Sequence, residues 1–353
     1  MFEDIRPYFD GEIGAVFEKL LANRVFMQAA EKIMPKELID EFRQNYLKIT
    51  TIDAFQKAFM LPMLEIFLQK KSCELTFSGI KNIVPSALFI SNHRDIITDP
   101  AFLQYILAKN NFRTSQIAIG NNLAAADWIL AFMKLNKSFI IKRNLSRGEQ
   151  ITAFKELSAY IRHAVTEQKA AIWIAQREGR AKDSNDRTQA SILKMFALSG
   201  NGSLIENLKT LNICPLSISY EYDACDFLKV KEMQQNRDNE HFIKTIEDDI
   251  LSMHTGIFGY IGHLHYAFTP CINAELDIIE QKNLPRNEQI EQIISLIDKQ
   301  IHLAYKIYPI NYFAFDTLYK TKKYSDFYTK NNAENFQHYF LCKNLNIFLF
   351  CIE

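Results

Sequence analysis

The chain has 353 residues, of which 48% are hydrophobic and 23% charged, and its 41 Lys and Arg are matched by 41 Asp and Glu. This is ordinary globular composition with no overall field to attract nucleic acid, so any anion site has to be local. The length accommodates one large α/β domain with helical additions.

The cysteines, Cys73, Cys214, Cys225, Cys271, Cys342 and Cys351, form no C-x-x-C pair and no zinc-like spacing with histidine, so no metal is expected and reduced thiols in a cytosolic setting fit best. The start, Met1-Phe2-Glu3-Asp4, is acidic where a signal peptide would be basic, and no run of about 18 apolar residues could span a bilayer. The expectation is a soluble chain or one that lies on a membrane surface.

Residues 1–72 read as a helical region. Ile52, Phe55, Phe59, Met63 and Phe67 recur at threes and fours, with a kink expected at Pro62. The stripe is read as a core face, with an interfacial helix resting on lipid as the alternative. From 73 to 275 the pattern alternates between strand and helix, the mark of an α/β sheet, with strands expected at 86–91, 114–119, 138–141, 170–175, 213–219 and 263–269. Ser146-Arg147-Gly148-Glu149 has capping-box spacing and opens an apolar face through Ile151, Phe154, Leu157, Ile161 and Val165. Residues 276–353 return to helix and aromatic segments and end in an apolar run over 340–350, for which the sequence suggests no role. The fold class is therefore α/β, a mixed and largely parallel sheet flanked by helices, with helical additions at both ends.

Four segments carry candidate chemistry. In the first, Ser91-Asn92-His93-Arg94-Asp95 follows the apolar run Ala87–Ile90, and Asp99-Pro100 signals a helix start with Asp99 as its N-cap. His93 then sits at the carboxyl end of a strand, where open α/β sheets place ligands. A carboxylate from Asp99 or Asp95 can hold one imidazole nitrogen protonated and leave the other free as a general base. The bland alternatives are a structural histidine and a plain helix cap.

The second segment is Lys134, Lys137, Lys142, Arg143 and Arg147, in which Lys142 and Arg143 end the run Phe139-Ile140-Ile141 and offer cations to a phosphate. A solvated basic face is the alternative, and it suits Lys134 and Lys137 best. In the third, Trp173-Ile174-Ala175 runs into Arg177, Glu178, Gly179, Arg180, Lys182 and Arg187, a loop that could cradle phosphate or simply be solvated. The fourth, Cys214-Pro215-Leu216-Ser217-Ile218-Ser219-Tyr220-Glu221, reads by itself as a core strand.

Taken in order, the four resemble the blocks of the glycerolipid acyltransferase superfamily, which contains the glycerol-3-phosphate and 1-acylglycerol-3-phosphate acyltransferases. The matching residues are Asn92-His93-Arg94 with Asp99, Ile140-Ile141-Lys142-Arg143, Glu178-Gly179-Arg180, and Pro215 through Tyr220, and the resemblance covers roughly 75 to 275. Three departures stand out. The family aspartate falls by strict count at Thr98, so Asp99 is one residue late. Lys137 stands where the family has glycine, and Arg180 comes one residue before the family arginine, so it shares that role with Lys182.

The resemblance implies an O-acyltransferase in which His93, oriented by Asp99, deprotonates a hydroxyl of glycerol 3-phosphate or a lysophosphatidate for attack on an acyl-CoA or acyl-carrier-protein thioester. It implies that Arg143, with Lys142, Glu178, Gly179, Arg180 and Lys182, forms the phosphate site. It requires no metal or organic cofactor beyond the acyl donor as co-substrate. It also implies contact with the inner face of the cell membrane from the cytoplasm, through the N-terminal helices. The Phe139–Arg143 and Ser217–Glu221 runs lean towards the glycerol-3-phosphate enzymes. The alternatives are a lipid- or thioester-binding protein that has lost turnover, prompted by the displaced aspartate, and a thioester hydrolase.

Overall fold

A computed structural model describes residues 2–342 apart from 72 and 125, and the side chains of Arg147 and Cys342 are also outside the description. The apolar run at 340–350 lies, from 343 onward, outside the described residues, as does Cys351.

Among the described residues seven strands form one sheet: β1 (Leu75–Ser78), β2 (Leu88–Ser91), β3 (Gln116–Gly120), β4 (Ser138–Ile141), β5 (Ile172–Ala175), β6 (Ile213–Tyr220) and β7 (Leu264–Phe268). Their order across the sheet is β1-β7-β6-β2-β5-β3-β4. Neighbours are parallel except β6 and β7, so β7 and β1 run against the other five. All six expected strands are present, and β1 is an addition.

β2 and β6 are buried along their whole length, as central strands covered on both faces should be. One face packs against Arg147–Thr166, Ala190–Phe196, Leu204–Lys209, Asn273–Gln281 and Arg286–Leu303, giving a core that includes Leu88, Ile90, Ile172, Ile213 and Ile297. The other face meets Leu61–Lys70 and Thr98–Lys109 around Phe89, Phe102, Trp173 and Tyr266.

The N-terminal helices form a satellite core in which Phe17, Phe42, Phe55 and Phe59 pack together with Ala131 and Leu135 of the helix Asp127–Leu135. Ile52, Phe55 and Phe59 are thus core residues, which corrects the interfacial alternative for this stripe: its leading side chains are taken up by protein. At Pro62, where the sequence predicts a kink, a π-helical turn over Gln56–Met60 leads into Leu61–Lys70, and Pro62 stands in the first turn of that helix. Among the described residues no helix is long and apolar enough to cross a membrane.

Candidate active site

β2 ends at Ser91, and the next residue ties the turn to the neighbouring strand. Asn92 donates through Nδ2 to the Ile218 carbonyl and accepts from the Ile218 N–H, both at 2.8 Å, so its amide stands in for a missing rung of the sheet. His93 emerges from this fixed point. Its Nδ1 lies 2.8 Å from Oδ2 of Asp99, and its ring meets Trp173 edge-on at 5.5 Å between centroids. Trp173 is itself held by its indole N–H donating to Ser91 Oγ at 2.9 Å.

Asp99 is fully buried and heavily bonded. Oδ2 also accepts from the Arg94 N–H at 2.6 Å and the Asp95 N–H at 3.0 Å, while Oδ1 accepts from Tyr220 Oη at 2.7 Å. Burial, with Asp99 close by, pushes the Tyr220 hydroxyl well above its ordinary pKa and keeps it a donor. The helix starts at Thr98, so Asp99 lies in its first turn and is not its N-cap, a correction to the sequence reading. Capping falls to Asp95, whose Oδ1 accepts from the N–H groups of Ile97 and Thr98 at 2.9 and 2.8 Å. Asp95 is thereby committed to the helix start, and Asp99 is the carboxylate at the imidazole. The one-residue offset does not separate the pair.

His93 opens on a cavity of about 600 Å³ at the carboxyl ends of β2, β3, β4 and β5. Its charged lining comes from the loops. After β4, the Arg143 N–H donates to Asn121 Oδ1 at 3.0 Å and its Nε faces Glu178 at 3.5 Å. Gly120, which ends β3, makes room for it, since a Cβ there would stand 2.7 Å from Arg143 Nε. After β5, Gly179 takes a left-handed φ of +74° that turns the chain between Glu178 and Arg180. That loop is pinned to the histidine turn by the Ala181 N–H donating to the His93 carbonyl at 2.9 Å.

Arg143, Lys142, Glu178, Gly179, Arg180 and Lys182 all line this cavity with His93. Lys142 turns its Nζ to Glu156 at 3.1 Å, and Lys182 pairs with Glu232 at 2.6 Å. Arg177 joins the lining, whereas Arg187 is exposed outside it. Lys134 and Lys137 also lie elsewhere. Lys137 bonds Asp53 at 2.6 Å and Thr114 at 2.7 Å, and its φ of +62° is the left-handed conformation that glycine adopts freely. The Arg147 side chain is among those outside the description.

The remaining lining is apolar. Phe154 and Leu157 of the helix Arg147–Thr166, Ile192 and Met195 of Ala190–Phe196, and Ile174 of β5 carry the cavity into the core. One space thus joins an imidazole and several cations to a hydrophobic interior, the layout that suits an amphiphile with an anionic head and an alkyl chain.

The sequence reading passed over several contributors. Asn92 and Tyr220 lay inside quoted blocks, with Tyr220 read only as core, whereas Lys229, which also lines the cavity, sits in a charged helix that gives no hint of burial.

A family model named Acyltransferase matches residues 74–219. No curated protein sequence matches this chain. Among solved structures the chain is similar to the crystal structure of the 1-acyl-sn-glycerophosphate (LPA) acyltransferase, PlsC, from Thermotoga maritima. The TM-score is 0.36 at 8% identity, and the superposition covers 79% of this chain and 87% of that one.

Proposed function

Starting from an acyltransferase-family domain over residues 74–219, we propose that this protein transfers a fatty acyl group from a thioester donor to a hydroxyl of glycerol 3-phosphate or a lysophosphatidate, with His93 as general base. The observation that carries the reading is the His93–Asp99 pair opening on a cavity that is cationic near the strand ends and apolar towards the core.

A carboxylate oxygen accepts, so Nδ1 of His93 carries the proton in this pair and Nε2 is left to act as base. Nε2 takes the acceptor hydroxyl proton as the oxygen attacks the thioester carbonyl. The resulting imidazolium, stabilised by Asp99, returns that proton to the departing thiolate as the tetrahedral intermediate collapses. The products are an ester and a free thiol, and the base is restored. Arg143, with Arg180 and Lys182, holds the acceptor phosphate; the planar guanidinium of Arg143 suits two phosphate oxygens at once. Both acyl-CoA and acyl-carrier protein are candidate donors, and the lipid substrates bring the chain to the cytoplasmic face of a membrane.

The test is acyl transfer from each donor to labelled glycerol 3-phosphate and to lysophosphatidate, comparing the native chain with His93→Ala. Loss of a general base lowers the rate by about 10² to 10⁴. Transfer that survives the substitution undiminished refutes the role of His93. Free fatty acid as the sole product identifies a hydrolase.

A further inference from the structure

We infer that Lys229, on the helix Asp226–Asp238 beyond the matched family segment, forms with Arg180 an anion subsite that binds a phosphate group of a substrate beside His93. The inference rests on the acyl-transfer reading above and adds to it a residue that none of the four blocks contains.

Lys229 has only 3% of its side chain exposed, yet it lines the cavity. Its Nζ donates to the Arg94 carbonyl at 2.8 Å and to Asp223, which places the ammonium against the residue that follows the base. An ammonium has three N–H groups, and among the described residues these two bonds are its hydrogen-bond partners.

Asp223 is also shared, because Nη2 of Arg94 reaches the same oxygen at 3.2 Å. Burial works against the Asp223 charge, but Lys229 and Arg94 outweigh it and hold its pKa low. Lys229 moves down as well, first through burial, with Arg94 and Arg180 repelling its charge. One carboxylate therefore serves two buried cations. Two further buried carboxyls stand near Arg94, Asp99 and Asp186; burial pushes Asp186 up, and neither lines the cavity.

Arg180 adds a second unsatisfied donor. Its Nη1 is buried and, among the described residues, has no hydrogen-bond partner. Four other lining cations differ in this respect: Arg143, Lys142, Lys182 and Lys244 each face a carboxylate. A buried donor without an acceptor is unfavourable. A phosphate monoester, with three terminal oxygens, offers acceptors to Arg180 Nη1 and to the third N–H of Lys229 Nζ.

The phosphate can belong to the acceptor or to the donor, and steady-state kinetics separate the two. Acceptor is varied at saturating acyl-CoA, then acyl-CoA at saturating glycerol 3-phosphate, for the native chain and Lys229→Gln. Loss of one charge-assisted bond raises one KM by about ten- to hundredfold. A rise for the acceptor assigns the subsite to its phosphate, and a rise for acyl-CoA assigns it to the donor. A fall in kcat with both KM values unchanged overturns the inference and leaves Lys229 as a prop for the histidine turn.

A second measurement uses the unmutated chain and needs neither turnover nor a stable variant. Reductive methylation of Lys229 with formaldehyde and borohydride, followed by peptide mass, is compared with and without inorganic phosphate. Protection by phosphate is the expected result. Equal labelling in both, or no labelling at all, removes the subsite. A native chain without acyl transfer whose Lys229 is still protected would sink the activity reading while sparing the subsite.

Discussion

Asp99→Asn isolates the charge beside His93 from the shape that surrounds it. The wild-type carboxylate accepts four hydrogen bonds, three on Oδ2 from His93, Arg94 and Asp95 and one on Oδ1 from Tyr220. An asparagine oxygen can replace Oδ2, because the two backbone N–H groups there reject an NH₂. The amide nitrogen then faces Tyr220 Oη, which is free to donate instead to Thr98 Oγ1 at 2.6 Å. Geometry and tautomer survive while the negative charge is lost. Bonds to a charged group contribute about 1 kcal/mol more than neutral ones, so weakening the group costs about 2–3 kcal/mol of stability. Opposite an imidazolium in the transition state the missing counter-charge costs about 3–4 kcal/mol beyond that ground-state loss, or roughly 10² to 10³ in kcat, with little change in KM. Asp99→Ala is the poorer probe. It orphans the backbone N–H groups of Arg94 and Asp95 and the Nδ1–H of His93 at about 1–3 kcal/mol each, a sum that rivals a typical total stability of about 5–15 kcal/mol. The assay is steady-state acyl transfer paired with thermal unfolding. A folded Asp99→Asn chain with kcat within about threefold of wild type would refute the view that Asp99 acts through His93.

Further perturbations bear on other parts of the site. Gly120→Ala forces Arg143 and Asn122 aside, since the new Cβ lies 2.7 Å from Arg143 Nε and 2.4 Å from Asn122 Oδ1, so acceptor KM should rise more than kcat falls. An unchanged KM would show that the guanidinium position is not used. Met195→Trp fills the apolar end of the cavity and should shift donor preference to shorter acyl chains, read from a chain-length series; an unaltered series places the chain elsewhere. Lys71 donates to the Gly256 carbonyl at 2.8 Å and also to that of Gly259, and burial lowers its pKa to about 8 from the usual 10.5. The unfolded chain therefore binds the extra proton between these values, and Lys71 makes stability rise with pH from about 8 to about 10.5. Unfolding of wild type and Lys71→Met across that window should diverge in favour of wild type, and parallel curves would contradict the shift.

What could be read from the sequence followed the physics of each segment. Strands buried on both faces announce themselves as short apolar runs, so Leu88–Ser91, Ser138–Ile141 and Ile172–Ala175 were placed within two residues. Leu75–Ser78 gives no such run, because Leu-Thr-Phe-Ser mixes polar with apolar residues and its last two positions are exposed. The reversed direction of β7 is set by pairing over long sequence distances, which local periodicity does not encode. At the site, His93 and its cavity-lining cations came from strand-end positions, but the Asp99 frame depended on where the helix begins. That point is fixed by Asp95 accepting two N–H groups, a contact not visible in residue types alone. Lys229 was hidden for a related reason: its helix reads as solvated, and its burial follows from the Arg94–Asp223 pair that it joins.

The two-ended cavity has a kinetic corollary for the proposed reaction. Glycerol 3-phosphate offers only a head and the acyl donor leaves its carrier behind, whereas the acylated product presents phosphate to the cations and alkyl chain to the apolar interior in a single molecule. The product is thus the species that fills the site most completely, and its departure becomes the slow step unless something accepts it. A bilayer next to the opening does so by taking up the chain. On this view the membrane acts as a drain that sets the turnover rate, and lipid vesicles should accelerate steady-state catalysis while leaving the first turnover unchanged.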